Sequence, residues 1–90
     1  MSDANASTVD FSTFVLSLAS SVMLHLGKVP DPTGATTQPN LALARQSIDM
    51  LAMLQDKTRG NLTDEEEQLM TRLLHDVRMA WVEESRHQSS

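Results

Sequence analysis

Three stretches of the chain repeat apolar residues at helical spacing, and polar segments containing Pro or Gly separate them. The third stretch is the simplest. At about 100° per residue, Leu69, Met70, Leu73, Leu74, Val77, Ala80 and Trp81 fall within an arc of roughly 140°. Arg72, His75, Asp76, Met79 and Glu83 occupy the other side. A helix patterned this way faces one core and water. The first two stretches differ. Phe11, Phe14, Val15, Leu16, Leu18, Ala19, Val22, Met23 and Leu26 spread over roughly 200°. The back of that stretch is Ser, Thr and Leu24, with no charge before His25. Leu41, Leu43, Ala44, Ile48, Met50, Leu51, Ala52 and Leu54 also cover roughly 200°, leaving a narrow strip of Arg45, Asp49 and Asp56.

Local signals set the ends. Asp10 is an N-cap for a first helix over about 10–26, which Gly27 stops by taking a left-handed conformation. Residues 27–40, GKVPDPTGATTQPN, hold three Pro and two Gly, an irregular connection able to carry the chain across a bundle. Asn40 caps a second helix over about 41–59. The stretch DKTRGNLTDEE then switches from basic to acidic within a few residues. Lys57 and Arg59 suit the negative end of one helix, and Gly60 supplies positive φ. Thr63 and Glu66 form a capping box, with Asp64 to Glu67 complementing the positive end of a third helix over about 64–84. The short gap makes helices two and three an antiparallel αα-hairpin. The expected object is all-α, a single helical domain over 10–84, with flexible tails at 1–9 and 85–90.

A helix with two neighbours in a three-helix chain does not need 200° of apolar arc. The surplus is four or five side chains, about 6 to 15 kcal/mol of driving force if each is worth about 1.5 to 3 kcal/mol on full burial. Monomers seldom leave such a patch in water. The expectation is a homo-oligomer that completes the core, with a dimer favoured. Leu16, Leu24, Leu43, Met50 and Leu54 are the candidate self-association surface. Ser17, Ala19, Ser20 and Ser21 would allow close helix approach. The alternative is that the 27–40 loop covers the patch. Met53 and Met79 project from polar faces and are candidates for a further partner surface. The other methionines read as adaptable core.

Composition narrows the field. The chain has 90 residues, at most one domain, and a net charge of −5. Residues 1–40 carry three acids and one base, 41–60 two acids and three bases, and 61–90 seven acids and three bases. No block is basic, so nucleic-acid binding is not expected. The first residues, MSDANASTVD, lack a basic region, so no secretory signal is expected. The longest uncharged run, Phe11 to Leu24, is 14 residues and contains five Ser/Thr, short of the 17 to about 25 apolar residues a membrane span requires. The absence of cysteine excludes disulfide and thiol chemistry.

Three segments together resemble a known family: FSTFVLSLASSVMLHLG, LALARQSIDMLAMLQDKTRGNLTDEEEQLM and LLHDVRMAWVE. The chain resembles, from about Asp10 to Glu83, a small bacterial family called domain of unknown function 1844. The most distinctive part is Ile48 to Glu66. The resemblance implies a bacterial, cytoplasmic, helical protein. It brings no activity, cofactor or catalytic residue.

The residues themselves point away from catalysis. There is no G-x-S-x-G, H-E-x-x-H or S-x-x-K and no glycine-rich phosphate loop. His25, His75 and His87 lack helical partners at metal-ligand spacing; His25 is placed to meet a helix end instead. Asp64 to Glu67 are consecutive and point in different directions, so they do not converge on a metal. KTRGN lies at a helix C-terminus, which opposes anions. The same acids would push against phosphates in a helix-turn-helix reader. Arg45 and Asp49 are spaced to pair across one turn. The expectation is a non-enzymatic, self-associating scaffold or adaptor with no cofactor. The competing reading is a carrier that holds a small apolar ligand between its helices, for which few polar groups converge. Membrane attachment through the first helix lacks the basic face such helices use.

Overall fold

A computed structural model describes residues 10–29 and 38–89, and those residues form three α-helices without a strand. They are α1 (Phe11–His25), α2 (Leu41–Lys57) and α3 (Asp64–Ser89). The expected tail at 1–9 and positions 30–37 of the connecting loop lie outside the described residues.

Each helix starts or stops where backbone groups find partners. The Asn40 side chain accepts the Leu43 N–H at 3.0 Å. At the start of α3 the capping box closes both ways. The Glu66 N–H donates to Thr63 Oγ1 at 3.1 Å, and the Thr63 N–H donates to Glu66 Oε1 at 2.9 Å. Asp10 departs from the expectation: it stands at the N-cap of α1, but its side chain makes no cap hydrogen bond. Its carboxylate instead accepts the Thr13 hydroxyl at 3.3 Å. At the end of α1, Lys28 N–H reaches the Met23 carbonyl and Gly27 N–H the Leu24 carbonyl, with Gly27 at φ 71. That is the paired closure of a Schellman end. Gly60, at φ 87, makes the corresponding reversal after α2.

Helix α3 continues to Ser89, five residues past the expected end near Glu84. The extension has local support. Gln88 donates to Glu84 at 3.3 Å one turn back, and Arg86 and His87 stand where the helix end is negative.

Two long-range hydrogen bonds set helix direction. The Asn40 N–H donates to the His25 carbonyl at 2.6 Å, placing the start of α2 beside the end of α1. Trp81 Nε1–H donates to the Leu41 carbonyl at 2.9 Å, bringing the late part of α3 to the same end. The helices therefore run up, down, up, and every pair packs together.

The core is Val15, Ala19, Val22 and Leu26 from α1, Ala44, Ile48 and Leu51 from α2, and Met70, Leu74 and Val77 from α3. Within each helix their spacing alternates between four and three residues. It is a narrow seam rather than a broad face. This explains where the surplus apolar arc goes. The seam takes the middle of each stripe and leaves the flanks of α1 and α2 toward solvent. Ser47 is the one buried polar side chain among the described residues, and no buried side-chain nitrogen or oxygen there lacks a partner.

Candidate interaction faces

Three grooves run along the bundle, one between each pair of helices, and they differ in chemistry. The α2/α3 groove is located by Trp81. Its indole meets the first turn of α2, and the Arg45 guanidinium lies 5.4 Å from its ring centroid, a cation–π distance. Arg45 also pairs with Asp49 at 3.5 Å, as their four-residue spacing predicts. Together with Ile48, Arg78 and Val82 these residues line a depression of about 330 Å³.

The α1/α3 side is held at one end by Lys28, whose Nζ lies 3.4 Å from Glu83 and 3.7 Å from Glu84. A depression of about 790 Å³ surrounds the end of α3, lined by Lys28, Asp76, Met79, Glu83, Arg86 and His87 among others.

These contacts fix the phase of each helix. On α2 the side toward α3 carries Leu41, Arg45 and Ile48. Leu43, Met50 and Leu54 lie about 140° to 180° round from Leu41, past the core seam, and so beside α1. Right-handed helices in this alternating order place Phe11, Phe14 and Leu18 on the flank of α1 that borders α2. Leu16 and Met23 lie on the flank that borders α3. The α1/α2 face thus combines Phe14 and Leu18 with Leu43, Met50 and Leu54. Phe14, Leu43 and Met50 are 44%, 43% and 49% exposed, whereas Leu18 and Leu54 are half-buried against the core. No charged residue lies between Phe11 and Leu24. The charged strip of α2 (Arg45, Asp49 and Asp56) turns the other way.

The five residues expected to form one surface are therefore divided. Leu43, Met50 and Leu54 share the α1/α2 face. Leu16 is exposed but lies on the opposite flank of α1, and Leu24 is half-buried on its outer side. Met53 and Met79, each 56% exposed, stand on different helices and form no common patch. Each lies on the side of its helix directly away from the core. The helical arc of α1 already contained Phe14 and Leu18. Which flank they occupied relative to α2 needed the handedness of the bundle.

Chemistry at other singled-out residues is modest. Glu66 is used by the capping box, while Asp64, Glu65 and Glu67 fan outward. Arg59 bonds Asp56 at 2.8 Å, occupying the guanidinium of the KTRGN segment. His25 is half-buried at the end of α1, and His75 and His87 are exposed. Among the described residues no three His, Asp or Glu side chains are grouped to hold a metal ion, and no helix is long and apolar enough to cross a membrane.

Fold and faces define a small all-α domain of the three-helix-bundle kind, with one neutral apolar flank and two charged ones. The chain belongs to the family described as domain of unknown function (DUF1844), which matches residues 8–83. No curated protein and no solved structure matches it.

Proposed function

We propose that the protein is a non-enzymatic scaffold or adaptor that works as a self-associated helical assembly, a dimer in its simplest form. The supporting observation is the mismatch between a narrow buried seam and wide apolar arcs on α1 and α2. It leaves Phe14, Leu16, Leu43 and Met50 between 43% and 49% exposed. Half-exposed side chains of this size gain about 1 kcal/mol each when covered, and a second copy is the commonest cover. The carrier alternative has less support. The depression of about 790 Å³ is lined by six charged or titratable side chains, including Lys28, Glu83 and Arg86. The seam residues Val15, Leu51 and Met70 are fully buried against one another.

Light scattering after size-exclusion chromatography tests the reading. At micromolar concentration the expected mass is about twice the 9.9 kDa of one chain. The variant Leu43→Glu is expected to shift the population toward monomer while keeping the helical circular-dichroism signal. A parent that elutes as a monomer at these concentrations would overturn the proposal.

A further inference from the structure

We infer that the surface of self-association is the α1/α2 face alone, and that its occupant is the same face of a second copy, related by a twofold axis. This rests on the self-association reading and narrows it to one of the three grooves. Two physical features support this face: the first distinguishes it from the other two, and the second shows that it is large enough.

The first is charge. Each chain carries a net −5, so two copies repel unless the meeting surfaces are neutral or complementary. A twofold axis brings identical patches together, which puts any unbalanced charge against its own sign. The α2/α3 groove would bring Arg45 and Arg78 toward their copies, and the end of α3 would bring Glu83. The face carrying Phe14, Leu18, Leu43, Met50 and Leu54 has no such residue between Asp10 at the start of α1 and Lys57 in the last turn of α2, two opposite charges at one end. A heterologous partner selected by charge would find little there to recognise, whereas a neutral patch is complementary to itself.

The second is area. Helices of 15 and 17 residues are about 22 to 26 Å long, and a pair packed about 9 Å apart presents a face about 20 Å wide. The footprint is about 500 Å² per copy, or about 1,000 Å² in total, which reaches the lower bound for a specific interface. Each stripe taken alone falls below it. Ser17 and Ser21, between the large side chains of α1, keep the approach short. In the resulting dimer two α1/α2 layers stack, and α3 with its arginine–tryptophan groove remains outward on each copy.

Four glutamate variants at similarly exposed positions separate this face from the others by analytical ultracentrifugation of the full chain. Phe14→Glu and Met50→Glu are expected to weaken dimerisation at least tenfold. Leu16→Glu and Met79→Glu, on other flanks, are expected to leave it within about twofold, and circular dichroism checks that each variant is folded. Where a glutamate variant loses helicity, Phe14→Ser or Met50→Ser takes its place with the same expectation. A dimeric parent that resists substitution at Phe14 and Met50 but dissociates with Leu16→Glu or Met79→Glu overturns the assignment and leaves self-association standing. A monomeric parent overturns both.

Discussion

At the scale of single residues, Trp81 joins the core, the first turn of α2 and a surface cation through one side chain. Its ring packs against the core, its N–H reaches the Leu41 carbonyl, and Arg45 stacks on its face. The substitution Trp81→Phe keeps the aromatic bulk and removes the donor. The Leu41 carbonyl retains its place in the first turn of α2, so no buried acceptor is orphaned and the loss is confined to one hydrogen bond and a weaker stack. Together these predict destabilisation of about 1 to 2 kcal/mol, read by urea denaturation at fixed protein concentration. Because Trp81 is the sole tryptophan, circular dichroism rather than fluorescence must follow the transition. An unchanged midpoint would mean that the contact does not hold α2 to α3. Nothing local in the sequence announced this bond, since donor and acceptor are 40 residues apart. Arg45 and Asp49 were readable because their pairing needs only one helical turn.

At the scale of elements, the same distinction decides what could be read. Asn40, Gly27, Gly60 and the Thr63–Glu66 box marked helix ends from residue type alone, and each performs that role, because capping is settled within four residues of backbone. Asp10 carried the same signal without the bond, since Thr13 competes for its carboxylate. The far end of α3 was underestimated because SRHQSS has no apolar stripe, yet hydrogen bonding back to Glu84 and favourable charge at the helix end carry it on. Gly60 offers the cleanest test of the hairpin between α2 and α3. A Cβ there would meet no atom within 4 Å, so the penalty of Gly60→Ala is purely that of holding φ 87. The expected loss is about 1 kcal/mol in a thermal or chemical melt, and Gly60→Asn should recover part of it because asparagine tolerates the left-handed region. A neutral alanine would show that the turn relaxes to another geometry.

At the scale of the whole molecule, the total apolar surplus was legible from helical arcs, but its distribution over the bundle was not. Leu16 and Leu43 looked equivalent on separate helical wheels. The up-down-up order and its handedness put them on different grooves, and only Leu43 faces the neutral side. The distinction has a consequence for ionic strength. Between about 0.05 and 0.5 M salt the screening length falls from beyond 10 Å to a few ångströms. An interface built on the Arg45, Arg78 or Glu83 surfaces would respond through its charged contacts, and complementary pairs there would weaken steeply with salt. An interface on the α1/α2 face holds almost no charge, so salt acts mainly on the repulsion between two chains of −5 each. The dimer dissociation constant is therefore expected to stay level or tighten by a few-fold across this range, measured by sedimentation equilibrium. A tenfold weakening would place charged pairs at the contact and move it away from Phe14 and Met50.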